Sequence, residues 1–237
     1  MNIALIGYGK MGREIASLAE QRGHFITAKI DEHNTDQIHN LVDADVAIEF
    51  SQPEVAFENI KSCLRQSIPI VSGTTGWLAR KPELEDYVQS VNGTFFYASN
   101  FSLGVQLFFR LNNYLSKMMD NHKDYNVQIT EIHHTEKKDA PSGTAISLAE
   151  SILSNLSRKD VWKQTPTGNA SELGITSLRE PQVPGTHTVT YQSEIDELEI
   201  KHTAHSRKGF ALGALLVAEW IKGKQGILSM DDFLRPE

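Results

Sequence analysis

The strongest constraint on the fold lies in the first twenty residues. Ile3 to Ile6 form a short β-rich apolar run, Gly7-Tyr8-Gly9-Lys10-Met11-Gly12 follows at once, and Ile15, Leu18 and Ala19 recur with a helical period. A G-x-G-x-x-G pattern between a strand and a helix has a specific physical meaning. Its glycines allow the tight turn, the close approach of a diphosphate and the packing of helix on strand, and the phosphates rest on the helix N-terminus. A second strand, His24 to Ile30, ends at Asp31, close to the spacing of an acid that binds ribose hydroxyls. These residues predict a Rossmann-type dinucleotide fold. A carboxylate at Asp31 accepts bonds from both ribose hydroxyls and repels a 2′-phosphate, so NADH is favoured. NADPH stays possible because Lys10 stands in the glycine loop.

The alternation continues. Asp45 to Phe50 reads as a buried strand, Pro53 to Gln66 as a helix and Ile68 to Ser72 as another strand, which together predict a parallel sheet. That strand runs into Gly73, Thr74, Thr75 and Gly76, and a later one, Thr94 to Ala98, into Ser99, Asn100 and Phe101. Ligands of open parallel sheets sit beyond the carboxyl ends of the strands, so both segments are expected at the nicotinamide side of the cofactor. Asn100 has a second reading as a cap for the helix Leu103 to Met118.

Composition narrows the partners. With 23 Lys+Arg against 30 Asp+Glu the formal charge is −7, which argues against a general nucleic-acid surface. Cys63 is the only cysteine, so an internal disulfide or a cysteine-rich metal site is excluded, and a buried position in a reducing compartment is expected. The longest apolar stretch, Ala211 to Ile221, is too short to span a bilayer. With no basic leader at the N-terminus, the expected location is the cytoplasm and no membrane partner is expected.

From Tyr125 the texture changes. Tyr125 to Ile132 reads as a strand and Thr144 to Leu156 as a helix, while Gly174 to Leu178, His187 to Gln192 and Glu197 to His202 look like antiparallel strands. A sheet with one exposed face needs a cover, and a second copy of the chain would supply it, so a homo-oligomer is expected. The last helix, Gly209 to Lys222, is expected to return to the first domain and to be buried through Phe210, Leu212, Leu215, Leu216 and Trp220. The predicted division is 1–102 with 207–237 as a dinucleotide-binding domain, and 103–206 as a smaller α+β domain with a mixed or antiparallel sheet.

The segment Glu131 to Ala145, EIHHTEKKDAPSGTA, holds two imidazoles, two ammonium groups and a helix start at about Ser142. Histidine passes protons near neutral pH, lysine offers a compact positive charge, and free N–H groups at a helix start bind anions. An anionic substrate that must also be protonated fits this set, with Gly143 and Thr144 gripping one carboxylate. Successive side chains on a strand face opposite ways, so His133 and His134 either sit where the strand ends or only one of them acts. Lys138 reads as a solvated loop charge. No metal is expected, since the histidines lack an acidic or cysteine partner at ligand spacing, and Asp139 reads as a cap or turn residue.

With a nicotinamide fold in front and HHTEKKDAPSGTA behind it, the chain resembles the 4-hydroxy-tetrahydrodipicolinate reductase (dihydrodipicolinate reductase) family over essentially its whole length. GYGKMG, GTTG, SNFSLG and the segment Ser206 to Phe210 support the resemblance. It implies an oxidoreductase of lysine biosynthesis, a small dicarboxylate substrate, a homotetramer, and a C-terminal domain for substrate binding and tetramerisation. By motif position it implies His133 as acid/base and Lys137 as catalytic lysine, with His134, Gly143 and Thr144 on the substrate carboxylates. Gly7 to Gly12, Asp31, Gly73 to Thr75 and Ala98 to Phe101 would hold the cofactor, joined by Arg207 and Phe210. The glycine loop is one residue shorter than the family's frequent form. Two rival readings remain at this point: another nicotinamide dehydrogenase on the same first domain, and a module that binds NAD without turnover.

Overall fold

The computed structural model describes residues 1–165, 167–206 and 208–235. They fall into two units, 1–103 with 208–237, and 104–207.

The first unit is built on β1 (Asn2–Ile6), α1 (Lys10–Gln21), β2 (Phe25–Ile30), β3 (Val46–Glu49), α2 (Pro53–Arg65), β4 (Ile70–Ser72), α3 (Lys81–Ser90) and β5 (Thr94–Tyr97). After the second unit the chain returns to it through α6, β11 and α7, given below. Its strands form one six-stranded parallel sheet in the order β11-β5-β4-β3-β1-β2. Strand alternation splits the core into two faces. Ile3, Leu5, Val46, Ile48, Val71 and Phe96 point to one side. Ala4, Ile6, Ala47, Ile70 and Phe95 point to the other, where α2 and α3 cover them with Phe57, Ile60, Leu64, Leu84 and Val88. Buried Cys63 belongs to this second layer, and burial pushes its thiol well above the usual range. The inner strands β1, β3, β4 and β5 are buried on both faces, which is why they read as apolar runs, whereas the edge strand β2 leaves Phe25 exposed.

The second unit comprises α4 (Leu103–Met119), β6 (Asn126–His133), α5 (Gly143–Asn155), β7 (Val161–Lys163), β8 (Glu172–Arg179), β9 (Gly185–Gln192) and β10 (Glu197–Ala204). Its five strands lie in the order β10-β9-β6-β8-β7. One correction concerns Gly174 to Leu178, expected to be antiparallel. That strand is β8, and it pairs parallel with both β6 and β7. The chain between β6 and β8 includes α5, and a helical crossover of that kind returns a strand parallel to its start. β9 and β10 are antiparallel as expected. On the covered face Val127, Ile129, Leu173, Ile175, Val189 and Tyr191 meet Leu148, Ala149 and Ile152 of α5.

The chain then continues through α6 (Lys208–Trp220), β11 (Gly226–Leu228) and α7 (Met230–Phe233). The buried face of α6 is Ala211, Gly213, Ala214, Leu215, Val217 and Ala218, so the helix enters the core with small residues. Leu212, expected to be buried, is exposed, because its position falls between the two rows that face the sheet. α3 and β11 are further elements that the sequence analysis did not anticipate. No helix among the described residues is long and apolar enough to cross a membrane.

Candidate active site

In the first unit, β1 lies between β3 and β2, so the strand order reverses at β1 and β3, the place where doubly wound sheets hold their ligands. A cavity of about 1040 Å³ opens there, beyond the carboxyl ends of β1, β2 and β3. Gly7, Tyr8, Gly9 and Asp31 line it, together with Phe50 and Ser51. Gly7 adopts φ +94, and a Cβ there would lie 2.0 Å from the Phe50 carbonyl oxygen. A Cβ on Gly12 would lie 2.3 Å from the Gly7 oxygen. These two glycines permit the turn and the close helix, whereas a Cβ on Gly9 would meet nothing within 4 Å. Gly9 is also the N-cap of α1 and gives it no side-chain cap, which leaves the helix start open to a diphosphate. The donor set and the open space fit a dinucleotide.

Lys10, Met11 and Gly12 belong to α1 and do not line this cavity, and neither do Gly73 to Thr75 or Ala98 to Phe101. The latter two segments follow β4 and β5 on the same edge of the sheet. Phe101 is buried against Phe50 and Phe96, and Phe210 stands in the first turn of α6. Arg207 lies outside the described residues. Glu49, unnoticed in the sequence, sits fully buried at the end of β3. It accepts bonds from the Ser51 amide at 2.9 Å, Ser72 Oγ at 2.6 Å and Thr74 Oγ1 at 2.8 Å. This carboxylate ties together the segments after β3 and β4.

In the second unit the register places a row of polar side chains at one end of the covered sheet face. Along β6 that face carries Val127, Ile129, Glu131 and His133, and Glu131 pairs with Ser177 on β8 and His187 on β9. His133 pairs with Arg179, and His187 with His202 of β10. β6 ends on His133, and a turn closed by the Lys137 N–H on the His134 carbonyl begins there. His134 thus leaves the strand where alternation lapses. The histidine pair therefore does sit at a strand end.

Glu131 is fully buried and accepts the Ser142 N–H at 3.0 and 3.1 Å and Ser177 Oγ at 2.8 Å. Burial pushes its carboxyl up, but the His187, Ser142 and Ser177 bonds outweigh it and hold the group down at about 2. His133 Nδ1 lies 3.5 Å from Glu131 and has no hydrogen-bond partner among the described residues, and His187 Nε2 lies 3.6 Å from the same carboxylate oxygen. Burial, with the facing His187, Lys137 and Arg179, pulls His133 down to about 4 against the opposing effect of Glu131, so it is neutral at pH 7. A carboxylate and two imidazoles thus bring one ligand atom each within 4.8 Å of one another. The sequence argument that the histidines lack an acidic partner fails here, because Glu131 shares their sheet face.

Lys137 Nζ bonds both Asp139 oxygens at 2.8 Å, which makes Asp139 a lysine partner and not a cap. The cap of α5 is Ser142, whose Oγ accepts the Ala145 N–H and contacts His187 Nε2 at 3.1 Å. The amides of Gly143 and Thr144 have no intrahelical acceptor, and a Cβ on Gly143 would meet nothing within 4 Å. Arg179 Nη2 donates to the Asp139 carbonyl at 2.7 Å and clamps the lysine loop to β8. Lys138 is exposed.

Residues 1–101 match the family model for the dihydrodipicolinate reductase N-terminus and residues 104–234 that for its C-terminus. The chain belongs to the dihydrodipicolinate reductase family. It is 50% identical over 234 residues to a 4-hydroxy-tetrahydrodipicolinate reductase of Christiangramia forsetii, covering 99% of this chain and 98% of that protein. It is 36% identical to the corresponding reductase of Rickettsia bellii, covering 99% and 95%. Among solved structures, a dipicolinate-bound dihydrodipicolinate reductase from Paenisporosarcina sp. TG-14 shares the fold with a TM-score of 0.83 at 19% identity, covering 99% of each chain. The family match across both units removes the binding-module alternative and separates the chain from other dehydrogenases built on a similar first unit.

Proposed function

We propose that the chain is a 4-hydroxy-tetrahydrodipicolinate reductase of the diaminopimelate route to lysine. It converts (4S)-4-hydroxy-2,3,4,5-tetrahydrodipicolinate, NADH and a proton to tetrahydrodipicolinate, NAD⁺ and water. What carries this reading is the grouping in the second unit of a neutral imidazole, a lysine ammonium and an open helix start, in a chain whose first unit fits a dinucleotide. The nicotinamide supplies hydride when bound. Loss of the C4 hydroxyl with a neighbouring ring proton as water leaves a C=C conjugated to the ring imine, and hydride added at C4 then gives an enamine-like anion that must be protonated. His133 is neutral at pH 7, which favours Lys137 as the charged donor and His133 as its partner. The α5 amides of Gly143 and Thr144, with His134, hold the two substrate carboxylates.

The cofactor cavity sharpens the preference for NADH. Besides Asp31 it is lined by Glu32, Asp36, Glu54 and Glu58, against Arg13 as the only Lys or Arg among the described residues that line it. A 2′-phosphate would enter an acidic wall. Gly7 to Gly12, Gly73 to Thr75, Ala98 to Phe101, Arg207 and Phe210 remain the proposed cofactor contacts. No metal enters this reading, because both oxygens of Glu131 already accept bonds from protein donors. Purified protein supplied with enzymatically generated substrate should oxidise NADH with a higher kcat/KM than NADPH. Absence of turnover would refute the function, and a strong NADPH preference would refute the role of Asp31.

The uncovered face of the second sheet carries Gln128, Thr130, Ile132, Thr176 and Leu178, of which Gln128 and Leu178 are exposed. α4 adds Leu107, Leu111, Tyr114 and Met118, all exposed at helical spacing. Apolar surface of this kind suits a second copy of the chain, and a cytoplasmic homotetramer is the proposed state. Light scattering should return four times the chain mass, and a monomer would refute it.

A further inference from the structure

We propose that Glu131 positions the substrate side of the site, orienting the His133 imidazole through Oε2 and holding the start of α5 through the Ser142 N–H that both its oxygens accept. This rests on the reading that His133 and the α5 amides meet the substrate.

A buried carboxylate without a bonded cation is costly unless protein donors compensate it. Arg179 Nη1 stays at 3.8 Å, so the compensation comes from the facing His187 Nε2, Ser142 N and Ser177 Oγ. Ser142 is the N-cap of α5, and a carboxylate gripping its amide sets where Gly143 and Thr144 present theirs. The fold therefore spends a buried charge on the first residue of an otherwise open helix start. Oε2, which takes the longer of the two Ser142 contacts, also faces His133 Nδ1 at 3.5 Å, and that nitrogen has no hydrogen-bond partner among the described residues. A carboxylate behind an imidazole favours the Nδ1–H tautomer and turns Nε2 toward the reacting side. His133 Nε2 lies beside Gly185, where an added Cβ would stand 3.1 Å away, so the missing side chain leaves the ring its room. His187, Arg179 and Lys137 also face His133, and Glu131 is the only anion among these groups.

The test is a kinetic comparison of wild type with Glu131→Gln, Glu131→Asp and Ser177→Ala. Glu131→Gln should lower kcat by roughly 10- to 100-fold, the range for loss of an orienting partner, and raise KM for the dicarboxylate, with NADH affinity unchanged. Glu131→Asp should recover part of both losses. Ser177→Ala, which removes one donor and spares the carboxylate, should shift both constants the same way by less, and it serves if Glu131→Gln does not fold. A structural lesion alone would lower the active fraction and leave KM unmoved, and that result overturns the proposal. So does tight Zn²⁺ binding by the wild type that is lost in Glu131→Gln, since it would assign the cluster to a metal. Wild-type turnover in the same assay separates failure of this inference from failure of the functional reading.

Discussion

Replacing Lys137 by alanine is expected to lower kcat at least about 100-fold, the contribution typical of a positioned acid, and to raise KM for the dicarboxylate. Burial and three facing cationic or titratable groups keep His133 neutral in the working pH range. A neutral imidazole holds its N–H too firmly to replace an ammonium as donor to a carbanion-like centre. Lys137 is delivered by a short loop whose Lys137 and Asp139 carbonyls both accept from Arg179, at 3.4 and 2.7 Å, so its ammonium is held in place before substrate arrives. Its bond to Asp139 satisfies the charge in the absence of substrate, and a substrate carboxylate can replace that exposed partner at small cost. Alanine removes the proton donor and the ion pair together. Steady-state kinetics with NADH held saturating will separate the two constants. Near-normal turnover would return the acid's role to His133. Lys138→Ala, on an exposed neighbour, should leave both constants unchanged.

How much of this was legible beforehand depended on the distance over which each feature is decided. The glycine loop, the acid after β2 and the N-cap at Ser142 are local, and sequence spacing located them. Strand alternation left two readings of the histidine pair, a strand end or a single acting histidine, and the end of β6 at His133 decides for the first. β8 did not, because alternation identifies a strand but not the direction of its partner, and the α5 crossover fixes that direction. Glu131 was quoted within the motif yet given no task. Its role comes from register, which sets Ser177 and His187 opposite it from two strands far along the chain. Arg179 was missed for the same reason. Glu49 sat inside an apolar run and passed as part of a buried strand. Ser51 reaches it locally, but the Ser72 and Thr74 hydroxyls come from the neighbouring strand and its following turn, which sheet order, and not sequence, brings to it.

Gly213→Ala is expected to destabilise the first unit, although alanine is the better helix former. In a free helix the change would gain about 1 kcal/mol. Here α6 crosses so close to the segment after β5 that a Cβ on Gly213 would stand 1.7 Å from the Phe101 carbonyl oxygen and 2.8 Å from its carbon. The obstacle is backbone and cannot rotate away. Phe101 is itself wedged against Phe50 and Phe96, with ring centroids 5.6 and 6.0 Å away, so moving it disturbs the floor beside the cofactor cavity. Overpacking a core costs about 1–3 kcal/mol or more, and a clash this short belongs at the upper end, so a net loss of at least about 2 kcal/mol is expected. Gly209 supplies the internal control. It lies in the same helix, but its added Cβ would meet only Ser102 Oγ at 3.6 Å, an ordinary contact. Gly209→Ala should therefore raise the guanidinium midpoint while Gly213→Ala lowers it and weakens NADH binding. Equal shifts in the two variants would mean that helix propensity, and not the approach of α6 to Phe101, sets the stability of this unit.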